Sequence, residues 1–119
     1  MKGGIIMNYL EKYLLTENGD KKIRRNYEID DSSYTELEKL SKKYHVTITD
    51  LVNISIKRLI ETRYINVYKK DESEITLIHT IGMTVNNIKG LDYLKERYGI
   101  SIYKLVNIAI RNALEEIDE

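Results

Sequence analysis

The chain has 119 residues, with 19 Lys+Arg balanced by 19 Asp+Glu, two histidines, no cysteine and no proline. That length fits one domain able to bury a core without covalent staples, and the lack of cysteine excludes a disulfide framework, a thiolate zinc site and a cysteine nucleophile. There is no secretory apolar segment and no apolar run near about 18 residues, so the expectation is a cytoplasmic chain without a membrane span.

Residues 1–19 place Ile5, Ile6, Tyr9, Leu10, Tyr13 and Leu14, with Met7 nearby, at helical spacing, and Asn18-Gly19 then marks a turn. Two readings stand side by side. The segment is a helix lying on the domain's own core, or an amphipathic arm that docks on a neighbouring copy through Ile6, Tyr9, Leu10, Tyr13 and Leu14. A basic pentapeptide follows, Lys21-Lys22-Ile23-Arg24-Arg25. It contributes to an uneven charge: residues 1–70 carry 14 Lys+Arg against 10 Asp+Glu, and residues 71–119 carry 5 against 9. Taken alone, such a run is usually a solvated face.

The next stretch reads as a strand, with Ile23, Tyr27 and Ile29 inward, Arg25 an anomaly among them, and Lys22, Arg24, Asn26 and Glu28 outward. Asp30 suits a helix N-cap. Leu37, Leu40 and Tyr44 recur at helical spacing up to the turn His45-Val46-Thr47. Thr47 caps a second helix whose Leu51, Val52, Ile54, Ile56, Leu59 and Ile60 form a broad apolar face. A linker, residues 62–73, carries Tyr64, Ile65, Val67 and Tyr68 and runs into charged residues 69–74. Residues 75–83, β-branched and short, read as a second strand with Ile75, Leu77, His79, Ile81 and Met83 inward and Thr76, Ile78, Thr80 and Gly82 outward. Thr84 caps a helix bearing Ile88, Leu91, Tyr93, Leu94 and Tyr98. Gly99 suits the left-handed residue that ends it. Ser101 caps a last helix with Leu105, Val106, Ile108, Ala109, Ile110 and Leu114 inward.

The two strand-helix-helix stretches align without a gap. Residues 20–61 set over 74–115, an offset of 54, give 10 identities in 42 positions, including Leu51-Val52-Asn53-Ile54 over Leu105-Val106-Asn107-Ile108. The apolar face of each second helix exceeds what one helix hairpin covers, so each unit needs a partner, and the other unit is the natural one. The expected organisation is an arm (1–19), a first unit (20–61), a linker (62–73) and a second unit (74–119). Together they make a mainly α domain with a two-stranded antiparallel ribbon and a pseudo-twofold axis. Asn53 and Asn107 stand at equivalent places inside apolar helices, where they either hydrogen-bond across that axis or face solvent.

This pattern resembles the ribbon-helix-helix superfamily of transcription regulators (the MetJ/Arc/CopG type), over about 70% of the chain. Members are usually homodimers. The chain is also similar to tandem single-chain regulators of archaeal filamentous viruses, in keeping with a residue usage that favours AT-rich codons. The resemblance implies a ribbon that enters the major groove of double-stranded DNA. Base readers would be Lys22, Arg24 and Asn26 on one strand and Thr76, Ile78 and Thr80 on the other. Unlike strands free the operator from a strict palindrome. The second helices would offer their N-termini to phosphates, through Thr47 and Thr49 in one unit and Ser101, Tyr103 and Lys104 in the other, with Arg25 reaching a phosphate from the ribbon. Two departures stand out: the second strand has no basic residue, and His79 occupies an inward position usually filled by an aliphatic one. The expected partners are DNA and further copies along it, with no membrane and no small-molecule substrate. No cofactor or metal is expected, and no enzyme either, because no nucleophile, base and orienting group converge. The alternative is a protein-interaction module of antitoxin type. Family antitoxins often carry a C-terminal partner-binding tail, and the last helix here runs nearly to Glu119, which counts against that role.

Overall fold

The computed structural model describes residues 21–117. The expected N-terminal arm, including Ile6, Tyr9, Leu10, Tyr13 and Leu14, lies outside the described residues. The elements run β1 (Lys22–Asp30), α1 (Asp31–Tyr44), α2 (Ile48–Thr62), β2 (Thr76–Thr84), α3 (Val85–Tyr98) and α4 (Ile102–Ile117). The described fold is therefore mainly helical with one two-stranded antiparallel sheet.

The strands pair from Lys22↔Thr84 to Asp30↔Thr76, with Asn26 opposite Thr80 at the centre. A lone two-stranded ribbon is marginal in water, and this one is held by burying one face. Tyr27, Ile29, Ile81 and Met83 of that face lie in the core. Beneath them α2 and α4 make the most extensive contact among the described helices. Leu51, Val52, Ile54, Ile56 and Leu59 of α2 and Leu105, Val106, Ile108 and Ile110 of α4 are all buried. Each side chain of this size contributes roughly 1.5–3 kcal/mol on burial. α1 and α3 close the sides through Leu37 and through Ile88, Leu91 and Leu94.

The helix ends follow local chemistry. α1 stops at His45, whose φ of 56° is left-handed and whose N–H donates to the Ser41 carbonyl. α3 stops the same way at Gly99, φ 66°, where glycine has no Cβ to oppose the conformation. Thr47 caps α2 by accepting from Asp50 N–H at 3.0 Å, and Ser101 Oγ accepts from Lys104 N–H at 3.2 Å. Gly90 serves a different purpose: a Cβ there would overlap Ile60, so the glycine lets α3 lie close on α2.

Several boundaries and burial assignments differ from the sequence reading. Thr62 closes α2, so the linker starts one residue later, and the second strand spans Thr76–Thr84 instead of 75–83. Ile75 and Leu77, expected inward, are 61% and 47% exposed, although Ile29, opposite Leu77 on the same face, is buried. Ile23, at the corresponding place on β1, is also exposed, as are Tyr93 and Tyr98 on the outer side of α3. Strict alternation assigns a face but not whether a helix lies beneath it. No described helix is long and apolar enough to cross a membrane.

Candidate nucleic-acid interface

Cross-strand partners share a face of the ribbon. The face opposite the buried Tyr27, Ile29, Ile81 and Met83 therefore carries, in order, Lys22 opposite Thr84, Arg24 opposite Gly82, Asn26 opposite Thr80, Glu28 opposite Ile78, and Asp30 opposite Thr76, with Thr84 and Asp30 at its two ends buried. All six expected base readers, Lys22, Arg24, Asn26, Thr76, Ile78 and Thr80, thus lie on one surface. Arg24, Asn26, Glu28, Ile78 and Thr80 are exposed on it. Ile78 is 68% exposed, a degree of exposure with no packing purpose among the described residues. At the centre Thr80 Oγ1 donates to Asn26 Oδ1 at 2.7 Å. Lys22 lies 3.9 Å from Asp50 at the start of α2. Arg25 falls on the helix-side face, as alternation requires, yet is exposed.

The ribbon is anchored by two buried asparagines, one from each central helix. Asn107 of α4 accepts from Asp30 N–H at 2.9 Å and donates to the carbonyls of Glu28 and Tyr103. Asn53 of α2 accepts from Thr84 N–H at 2.9 Å and donates to the carbonyls of Gly82 and Thr49. Each amide satisfies its own donors and pins a strand end that would otherwise hold unpaired buried backbone groups. Both asparagines are buried and hydrogen-bonded to strand backbone, so neither faces solvent.

The two strand–helix junctions are chemically unlike. Thr84 is an ordinary N-cap, its Oγ1 accepting from Asn87 N–H at 3.2 Å. Asp30 makes no side-chain cap bond. Its fully buried carboxylate instead accepts from the hydroxyls of Tyr68 (3.0 Å), Thr76 (2.9 Å) and Tyr103 (3.1 Å). Lys70 and Arg111 stand 3.8 and 3.9 Å away, and the Arg111 guanidinium lies over the Tyr68 ring at 3.8 Å. Burial, followed by the charge and hydrogen bond of Asp30, pushes the Tyr68 phenol well above the ordinary tyrosine range. Glu74, at the end of the linker, supplies the cap that Asp30 does not, its carboxylate accepting from Ser32 N–H at 3.1 Å and from the Ser32 hydroxyl.

This cluster commits two expected site residues. Thr76 and Tyr103 direct their hydroxyls to Asp30, and Lys70 donates to both. Sequence reasoning saw Asp30 only as a cap and Tyr68 only as linker. The available signal was the mismatch of Asp30 with Thr84 in the alignment, together with a tyrosine-rich linker. Besides Arg25 on the ribbon, the remaining expected phosphate residues are exposed or half-exposed at two places: Thr47 and Thr49 at the start of α2, and Ser101 and Lys104 at the start of α4. The latter two, with Lys70, Tyr68 and Val67 of the linker, line a cleft of about 440 Å3. His79 stacks on Tyr34 of α1, ring centroids 3.7 Å apart and nearly parallel. Its buried Nε2 finds no hydrogen-bond partner among the described residues. That geometry fits a packing role. Among the described residues no cluster of His, Cys, Asp and Glu has the arrangement of a metal site.

Compared with protein-family models, with curated proteins and with solved structures, the chain matches none.

Proposed function

We propose that the chain is a sequence-specific regulator of transcription that binds double-stranded DNA, built as a tandem ribbon-helix-helix unit with a pseudo-twofold axis. The observation that carries the reading is the exposed outer face of the ribbon. It sets a guanidinium, an amide, a hydroxyl and an exposed apolar side chain in one row. A two-stranded ribbon fits the major groove, which is about 12 Å wide. There Arg24 suits guanine O6/N7, Asn26 suits adenine or another acceptor edge, and Ile78 suits a thymine methyl.

The pseudo-twofold arrangement is supported by hydrogen bonds that recur at the sequence offset of 54. Asp31 N–H donates to Ile75 O and Val85 N–H to Lys21 O. Asn107 holds Glu28 and Asp30, while Asn53 holds Gly82 and Thr84. The central pair, Asn26 and Thr80, is itself related by that offset. Each half thus anchors the strand of the other, as exchange between protomers of a dimer would require. Phosphate binding fits the two second-helix N-termini flanking the ribbon. Lys104 and Lys70 act at one end, and Lys22, Thr47 and Thr49 at the other. No catalytic step is assigned to the chain.

The test is selection from a randomised duplex pool at two salt concentrations, wild type against the Arg24→Ala/Asn26→Ala double variant. A defined motif is expected, with discrimination at the contacted positions falling roughly 5- to 150-fold per lost bidentate contact. Weak, steeply salt-dependent binding without a motif, or no binding, overturns the reading.

A further inference from the structure

We infer that the ribbon has a fixed polarity and that its operator has two chemically different halves: a purine-acceptor, guanine-bearing half under Arg24 and a half carrying cytosine and thymine under Glu28 and Ile78. This rests on the DNA-binding reading and adds to it the identity and orientation of what is read.

The polarity follows from the register. Travelling along the outer face from the Lys22 end, the first two rows hold Lys22 and Arg24, opposite Thr84 and Gly82. The last rows hold Glu28 opposite Ile78 and the buried Asp30 opposite Thr76. Both ribbon cations of this face therefore lie at one end, and its one exposed carboxylate lies at the other. Position by position under the offset, Arg24 answers to Ile78 and Glu28 to Gly82. A symmetric dimer would place a carboxylate beside each arginine. Here glycine stands beside Arg24, and the Lys22 alkyl chain passes 3.6 Å from where a Cβ would be. Among the described residues no acid faces Arg24 from across the ribbon, and on this reading its fork of donors serves a base edge. Glu28 is an acceptor only, and on a groove floor it matches the cytosine amino group. Its neighbour Ile78, exposed on the same row, offers an apolar contact to a thymine methyl.

The centre is also directional. Because Thr80 donates to Asn26 Oδ1, the amide carbonyl is turned toward Thr80 and the amino group is the end that faces away from it. The central pair thus favours a base acceptor on the Asn26 side of the axis.

The experiment uses the full chain in three forms, wild type, Arg24→Ala and Glu28→Gln, each checked by circular dichroism and selected on the same randomised duplex pool. A non-palindromic wild-type motif is expected. Arg24→Ala should relax, roughly 5- to 150-fold, positions in one half only. Glu28→Gln should relax positions in the other half only. A palindromic motif, or relaxation by both variants at the same positions, overturns the polarity and leaves the DNA-binding reading standing. Failure to enrich any motif overturns both.

Discussion

The junction at Asp30 and the junction at Thr84 have the same backbone and opposite chemistry. At both, the strand's last N–H is held by an asparagine from a central helix at 2.9 Å, and a helix starts at the next residue. At Thr84 the side chain turns forward and caps α3. At Asp30 it turns back and gathers Tyr68, Thr76 and Tyr103, while Glu74 caps α1 in its place. The scaffold is therefore carried by the asparagines, and the cap position is left free to take on other work. The linker reaches the Asp30 side through Tyr68 and Lys70, and that is the side where the cap residue has become an anchor.

The largest effects should come from the part the two junctions share. Replacing Asn107 by Leu leaves Asp30 N–H and the Glu28 carbonyl unpaired in the interior, and each orphaned group costs about 1–3 kcal/mol. A loss of roughly 3–5 kcal/mol in urea unfolding is expected. Asn53→Leu should cost as much or more, since Asn53 also accepts from the Asn87 amide at 3.0 Å. A near-neutral result for either variant would break the comparison, because it would mean that the strand ends are fixed by packing alone.

The next test separates the two caps. Thr84→Ala removes one capping bond and should cost about 1 kcal/mol. Asp30→Asn keeps the shape but puts an amino group among three hydroxyl donors and removes the charge beside Arg111 and Lys70. An expected loss of about 2–3 kcal/mol follows from the mismatched buried bonds. Equal losses at the two positions would mean that the Asp30 cluster adds nothing beyond a cap.

The same cluster predicts a difference at high pH. Tyr68 is raised by burial first and then by Asp30, and Tyr27 and Tyr34 are raised by burial too. A phenol raised in the folded state contributes its full stability below the unfolded value of about 10. Above that value the unfolded chain releases protons that the folded chain retains, so stability falls as pH climbs toward the folded pKa. Absorbance titration of tyrosinate should show late-ionising phenols, and Asp30→Asn should move Tyr68 to lower pH. If that variant leaves the titration unchanged, Asp30 does not act on Tyr68.

How much of this was legible beforehand depends on the kind of interaction. The order of strands and helices, the caps at Thr47, Thr84 and Ser101, the left-handed Gly99 and the alternation of the ribbon all follow from local spacing, which a sequence displays directly. Asn53 and Asn107 were visible as polar residues at matched places in apolar stripes, but their partners lie far along the chain and only the assembled register supplies them. The Asp30 cluster was hidden for the same reason, drawing hydroxyls from the linker, β2 and α4 at once. Leu77 was misjudged because alternation says which way a side chain points and not what stands there.

The smallest structural effect lies at the starts of α2 and α4, and it distinguishes the two ends functionally. Thr47 and Ser101 cap their helices alike, but the third helical residue is Asp50 in α2 and Lys104 in α4. Asp50 sits 3.9 Å from Lys22, both partly exposed, a pair contributing at most about 1 kcal/mol to stability. Asp50→Asn should therefore change unfolding little, since losing a carboxylate near a helix N-terminus costs only about 0.3–1 kcal/mol. On the proposed reading its effect on DNA is larger and of opposite sign to that of Lys104→Ala. Removing the acid frees Lys22 for a phosphate, raising affinity and steepening the dependence of log K on log salt by about 0.9, whereas removing Lys104 lowers affinity and flattens that slope by a similar amount. Parallel salt titrations of the two variants check this directly. If both variants move the slope the same way, the helix starts are not the phosphate contacts, and binding would have to be carried by the ribbon alone.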